Sequence, residues 1–117
     1  MSDLKNVPPR FEAALERLDG DRLLLQQMAL VTSEDLPVVM ERVEAAIENG
    51  NLEQAAKCLH QLKGMLSTFD ADGVTLDLQD MLDAARKDDS DLLVRSYQQN
   101  RGEILELVEA IANLSQP

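Results

Sequence analysis

The chain has 117 residues, of which 44% are hydrophobic and only 3% aromatic, and its formal net charge is −11. This charge argues against a nucleic-acid-binding protein, which needs a basic face, and against a protein held electrostatically on a membrane. No apolar run approaches the roughly 18 residues of a transmembrane helix, the N-terminus lacks the apolar block of a signal peptide, and the single cysteine excludes a disulfide framework. We therefore expect a cytoplasmic protein.

The composition predicts an all-α protein with one domain. Glycine and proline are scarce, strong helix formers dominate, and strand-like alternation is nearly absent. The length suits a single modest core. We expect residues 1–7 to form a flexible N-terminal arm and residues 8–117 to form the domain. Because no long linker precedes or follows it, we expect a stand-alone protein.

Two short helices are predicted first in chain order. FEAALERL, residues 11–18, forms the first and ends at Asp19-Gly20, and Asp21 is an N-cap residue for the second. The apolar set of this second helix is Leu23, Leu24, Leu25, Met28, Ala29 and Leu30. Residues 32–35, TSED, have N-cap chemistry, so a new helix is expected there with Pro37 in its first turn. Its core-facing set is Leu36, Val39, Met40, Val43, Ala46 and Ile47.

Three more helices are predicted after the stop at residues 49–51, NGN. The first covers about residues 52–69, the second begins near Val74 and ends at residues 87–90, KDDS, and the third covers about residues 91–114. Their apolar sets are Leu52, Ala55, Leu59, Leu62, Leu66 and Phe69, flanked by Cys58 and Met65; then Val74, Leu78, Met81, Leu82 and Ala85; then Leu92, Leu93, Ser96, Leu105, Val108, Ile111 and Ala112. Short loops force antiparallel neighbours. The predicted fold is an antiparallel up-down four-helix bundle with short additional N-terminal helices.

His60, the only histidine, lies within the predicted helix of residues 52–69. Residues three or four apart share one side of a helix. The residues on the side of His60 are polar or small, and none belongs to the apolar set: Glu53, Ala56, Lys57, Lys63, Gly64 and Ser67. We therefore expect the imidazole to project into solvent.

An exposed imidazole between two lysines suits phosphoryl transfer. A neutral imidazole nitrogen is a good nucleophile near pH 7, and Lys57 and Lys63 can stabilise a phosphoryl group on the ring. Gly64 weakens the helix without capping it, so close approach of another molecule is the expected reason for it. One histidine, one cysteine and no convergent cluster leave no nucleophile–base pair and no metal-ligand set, which argues against a hydrolase or a metalloenzyme.

The segment HQLKG, residues 60–64, resembles the His-x-Leu-Lys-Gly motif of the histidine-containing phosphotransfer (HPt) domains of two-component phosphorelays. The resemblance covers most of the chain. LERLDGDRLLLQQM resembles the family's N-terminal helical entry, AAIENGNLEQAAKCLHQLKG resembles its passage into the phosphoacceptor helix, and AARKDD resembles the end of the next helix. Several positions depart from the pattern: Met65 replaces a small residue, Asn51 replaces a common aspartate, and Asp70 replaces a common glycine, for which Gly73 could supply the turn. An acidic residue is also common at the position of Leu82, whereas here Asp83 follows one residue later.

The resemblance implies a phosphoryl carrier rather than an enzyme, with His60 as the phosphoacceptor and Lys63 in contact with the phosphoryl group. Partner contacts are expected from the small or basic neighbours of His60: Ala56, Lys57, Gly64 and Ser67. The implied partners are response-regulator receiver domains, a hybrid histidine kinase, or both. The chain itself would bind no cofactor, because the receiver would bring Mg²⁺ and its own carboxylates. We expect a monomer that binds neither nucleic acid nor a membrane.

Three other interpretations stay open at this point. His60 can be a solvated surface histidine without a function. The chain can be a non-phosphorylated adaptor that docks a receiver or a kinase, in which case His60→Gln leaves partner binding unchanged. It can also be a structural bundle within a larger assembly, for which the exposure of His60 is incidental.

Overall fold

The computed structural model describes residues 7–116, which are helical apart from short turns. A 3-10 turn, Pro9–Phe11, precedes five α-helices: α1 (Glu12–Arg17), α2 (Arg22–Glu48), α3 (Leu52–Leu66), α4 (Val74–Arg86) and α5 (Ser90–Leu114). Helices α2 to α5 pack in a ring, each against the next, and α5 closes the ring against α2. The predicted all-α four-helix bundle with short N-terminal helices is therefore confirmed. The predicted arm lies outside the described residues except for Val7, which packs against the core.

The N-terminal segment is fixed to the end of α3 by the two phenylalanines of the chain. Phe11 and Phe69 pack edge to face with ring centroids 6.1 Å apart, and both are buried. The guanidinium of Arg17 donates to the carbonyl of Thr68 at 2.7 Å. The rest of the core is almost wholly aliphatic, as the composition predicts.

The predicted helix break at residues 32–35 is wrong, because α2 runs without interruption from Arg22 to Glu48. Ser33 does not cap a helix; its hydroxyl donates back to the carbonyl of Leu30 at 3.0 Å, an arrangement that serine adopts inside helices. Pro37 lies inside the helix and is exposed. A proline there removes the hydrogen bond to the carbonyl four residues earlier, but on the solvent side water can replace that bond.

The residues predicted to face the core are buried in α3 and α4 more completely than in α5 and in the first half of α2. The set of α3 is buried except for Leu52 and Met65, which are partly exposed, and the set of α4 is fully buried. In the first half of α2 only Leu25 and Ala29 are buried, whereas Leu23, Leu24 and Leu30 are exposed. In α5 the buried residues are Leu93, Tyr97, Ile104, Leu107 and Ile111, so only Leu93 and Ile111 of the predicted set are fully buried.

Asp70 explains why the turn after α3 needs no glycine at that position. Helix α3 ends at Leu66, three residues earlier than predicted. The Asp70 carboxylate then accepts the backbone N–H groups of Asp72, Gly73 and Val74 at 3.1, 2.8 and 3.0 Å, which caps the start of α4. A Cβ on Gly73 would lie 3.1 Å from the Asp70 Oδ2 atom, so this cap favours glycine at residue 73.

Side-chain caps and a left-handed glycine set the other bundle turns. Asp21 and Asn51 accept the N–H groups of Leu24 and Gln54 at 3.0 and 3.1 Å. Gly50 has a φ of +67°, as the predicted stop after α2 requires. Within residues 7–116, no helix combines the length and the apolar character that a bilayer crossing needs.

Candidate functional site

His60 lies in the middle of α3, and its side chain is exposed. The opposite side of α3 is buried in the core through Ala55, Leu59 and Leu62. None of the residues that share the side of His60 is buried. The predicted projection of the imidazole into solvent is therefore confirmed by the structure.

An open groove of about 510 Å³ lies beside His60, between the first half of α3 and the end of α4. Its lining is apolar where the helices meet and charged at the rim. The lining residues are Leu52, Glu53, Ala56, Lys57, His60, Ala85, Arg86 and Asp88. Two of the four predicted partner-contact residues, Ala56 and Lys57, thus lie in the groove, whereas Gly64 and Ser67 extend the exposed side of α3 beyond it.

Lys57 is held only weakly. Its Nζ atom lies 3.7 Å from the Glu53 Oε1 atom, and the two side chains are 69% and 85% exposed. An exposed pair four residues apart on a helix contributes a few tenths of a kcal/mol, about 0.3–0.5. Lys57 can therefore leave Glu53 at little cost.

Lys63 is held by a chain of side chains on α4. Its Nζ atom donates to the Gln79 Oε1 atom. The Gln79 Nε2 atom donates in turn to the Asp83 Oδ1 atom at 2.9 Å, which fixes the amide with its oxygen toward Lys63. An ammonium has three donors, so the bond to Gln79 leaves two for another acceptor.

Arg86 adds a cation that the sequence analysis did not identify. It lines the groove together with His60 and is exposed, and it forms no ion pair with any residue between 7 and 116. Gln79, Asp83 and Arg86 are spaced by four and three residues, so they share one side of α4. This polar stripe beside the apolar set of α4 is the signal in the sequence that points to these three residues.

Gly64 has no packing role within the bundle. No heavy atom lies within 4 Å of the place where a Cβ would stand, so nothing in the described chain excludes a side chain there. Ser67 ends α3, and its hydroxyl donates to the carbonyl of Gly64 at 3.0 Å, so it serves its own helix end. The side of α3 that carries His60 is therefore open in front of the ring.

The family model of the Hpt domain matches residues 25–116, which are 92 of the 117 residues. The match includes α3, α4, α5 and nearly all of α2, and it leaves the 3-10 turn and α1 outside. Comparisons with curated proteins and with solved structures gave no match. Because the match covers well over half of the chain, and includes both helices that line the groove, the chain belongs to the Hpt domain family, whose members carry phosphoryl groups in two-component phosphorelays.

Proposed function

We propose that His60 accepts a phosphoryl group and relays it to or from the aspartate of a receiver domain. One observation carries the proposal: the only imidazole of the chain stands exposed at the edge of a groove that Lys57 and Arg86 also line, and Lys63 lies one turn further along α3. Membership in the Hpt domain family supports phosphoryl transfer as the class of reaction, and the exposure of the ring supports His60 as the acceptor.

The transfer forms a bond between a ring nitrogen and phosphorus while the bond between phosphorus and the receiver's carboxylate oxygen breaks. The imidazole supplies the electron pair, and the receiver's carboxylate leaves as an anion. Lys63 can turn a free N–H toward the phosphoryl oxygens, and Arg86 can approach from α4. Phosphoryl transfer depends mainly on positioning and charge neutralisation, so these groups can suffice when the receiver brings Mg²⁺.

The shape of the site supports docking of a folded partner rather than entry of a small molecule. The groove is wide open, and the absence of a side chain at Gly64 lets a receiver surface approach the helix backbone near His60. A bulky residue at this position would hold the two reacting groups apart. Such a loss of alignment reduces the rate steeply.

The test is transfer from a receiver that has been phosphorylated with acetyl phosphate in the presence of Mg²⁺. We expect an acid-labile, base-stable label on the wild-type chain and none on His60→Gln. Because His60 is the only histidine, a single phosphohistidine resonance in the ³¹P spectrum of the labelled chain assigns the site without peptide mapping.

Circular dichroism of His60→Gln is the control for folding. Equal labelling of the variant and the wild type would disprove the proposal. A wild-type chain that binds the receiver but takes no label from any receiver or kinase would instead be an adaptor, and receiver binding would then be unaffected by His60→Gln.

A further inference from the structure

Residues 23–38 of α2 carry an apolar stripe on the side that faces away from the core. Four large apolar side chains lie there at about half exposure or more: Leu23 at 55%, Leu30 at 49%, Val31 at 64% and Val38 at 48%. Gln27 and Glu34 lie between them. Successive positions are three or four residues apart except for the adjacent pair Leu30 and Val31, and at 3.6 residues per turn all six fall within roughly 100° of arc, so they form one face about four turns long.

The bundle itself does not need this stripe. The buried side of α2 is formed by a separate set that includes Leu25, Ala29 and Leu36, and these residues already meet the core. Soluble proteins rarely leave a continuous apolar face of this length in water without a binding partner for it. A shallow depression of about 320 Å³ lined by Gln27, Met28, Val31 and Thr32 lies along the stripe.

In place of the monomer expected from the sequence, we propose that the stripe, residues 23–38 of α2, binds the same stripe of a second copy of this chain in an antiparallel, two-fold dimer. The order of apolar and polar residues along the stripe reads the same from both ends, which a symmetric contact requires. With the two-fold axis between Leu30 and Val31, each apolar residue faces an apolar residue of the second copy and each polar residue faces a polar one. The facing pairs are Leu23 with Val38, Gln27 with Glu34, and Leu30 with Val31.

The charges select this register. A Gln27 amide can donate to the Glu34 carboxylate of the second copy, and no two carboxylates within the stripe face each other. A parallel arrangement would instead place Glu34 against its own copy, which is repulsive. In the antiparallel register Leu30 of the second copy is level with Val31, which lines the depression, so the apolar side chain has a place to enter.

The dimer should be weak and should depend on salt. Four apolar side chains per copy are far fewer than the 20–30 residues of a standard interface, so we expect a dissociation constant on the order of 100 µM. Each copy carries a net charge of −11, which opposes association. Because salt screens this repulsion, the dimer should tighten between about 0.01 and 0.15 M salt.

Sedimentation equilibrium of the full chain over a range of concentrations tests the proposal. We expect the apparent mass to rise from that of one copy toward that of two, and Leu30→Glu to raise the dissociation constant at least ten-fold. Leu76→Glu is the matched control, because Leu76 is a 57% exposed leucine on α4. The control should leave the dissociation constant unchanged.

A charge exchange tests the register. Gln27→Glu should weaken the dimer, because two carboxylates then face each other, and Gln27→Glu combined with Glu34→Lys should restore it or strengthen it. Failure of the double variant to restore the dimer would overturn the antiparallel register.

The proposal fails if the wild-type chain stays a single copy at about 1 mM, or if Leu30→Glu and Leu76→Glu weaken the dimer equally. If, in the first of these cases, Leu30→Glu also abolishes receiver binding, the stripe binds the receiver and not a second copy. None of these outcomes depends on phosphorylation of His60.

Discussion

Lys57 and Lys63 lie one turn to either side of His60, but their contacts differ. Lys57 points along its own helix to an exposed carboxylate, whereas Lys63 reaches across to Gln79 on α4. The bond to Gln79 restricts the rotamers of Lys63 and keeps its ammonium in the space between α3 and α4. At the residue scale, Lys63 is therefore the better ordered of the two cations.

We expect Lys63→Met to reduce the rate of transfer from a phosphorylated receiver at least about ten-fold, because a charge-assisted hydrogen bond contributes roughly 1.5–3 kcal/mol. Lys57→Met is the matched control, and it should change the rate less than about two-fold, because an exposed, screened lysine contributes little. Single-turnover transfer rates measure both. Equal losses in the two variants would contradict the distinction drawn from their contacts.

Tyr97 is buried on α5, and its hydroxyl lies near the side chains of Glu44 and Arg101 without a well-aligned hydrogen bond to any residue between 7 and 116. Burial first, and then the nearby Glu44 carboxylate, raise its pKa to about 12, against the opposing charge of Arg101. The folded chain thus holds this proton more tightly than the unfolded chain, whose tyrosine pKa is about 10. Stability from this group is fully present below about pH 10 and is lost between about pH 10 and pH 12.

We expect Tyr97→Phe to remove this part of the alkaline destabilisation. The unfolding free energy of the wild type minus that of the variant should fall between about pH 9 and about pH 11. Over this range the phenol of the unfolded wild type loses its proton while that of the folded wild type keeps it, and the variant has no phenol. Urea unfolding at both pH values measures this difference. Since Tyr97 is the only tyrosine, the absorbance of tyrosinate reports its pKa directly, and a midpoint near 10 in the folded chain would contradict the expectation.

At the scale of the helices, α3 could be predicted well because its polar and apolar residues occupy separate sides. The buried side of α2 could not be predicted as well, because two opposite sides of its first half are apolar. Its length was also predicted wrongly, because the residues TSED start a helix only when the residues before them are not already helical. In α5 many positions are partly buried against α2 and α4, so spacing alone did not separate the centre of the buried face, at Tyr97 and Ile104, from its edges.

Gly64 and Gly102 form a natural pair for testing the docking surface. Both are exposed residues inside helices, and a Cβ at either would meet no heavy atom within 4 Å. Replacement by alanine should therefore stabilise the bundle by about 1 kcal/mol at each site. Only Gly64 lies one turn from His60.

We expect Gly64→Ala to raise the KM for the phosphorylated receiver about ten-fold, because a methyl group there displaces the partner from the ring. Gly102→Ala should leave transfer unchanged while giving the same gain in the urea midpoint. The two measurements separate stability from docking. If Gly64→Ala transfers as fast as the wild type, the open space at Gly64 has no part in docking.

At the scale of the whole molecule, the packing of α3 against α4 creates a site that neither helix carries alone. The motif HQLKG indicates His60 and Lys63, but the register between the two helices places Gln79 against Lys63 and brings Arg86 to the groove beside His60. That register depends on the turn capped by Asp70, a residue that in sequence is only a departure from the family pattern. Helix α4 lies across the bundle from α2, and no residue of the stripe on α2 lines the groove between α3 and α4.

The contribution of α4 to receiver binding can be measured with Arg86 and Lys87, because the two residues are neighbours of equal charge and only Arg86 lines the groove. We expect Arg86→Ala to raise the KM for the phosphorylated receiver up to about five-fold, since an exposed cation contributes at most about 1 kcal/mol. Lys87→Ala, with the same change in net charge, should have no effect at physiological salt. At about 1 M salt the KM values of Arg86→Ala and the wild type should become equal, because the Debye length falls to about 3 Å. Equal effects of the two substitutions would mean that only the net charge of the molecule matters, and that the groove does not bring Arg86 to the partner.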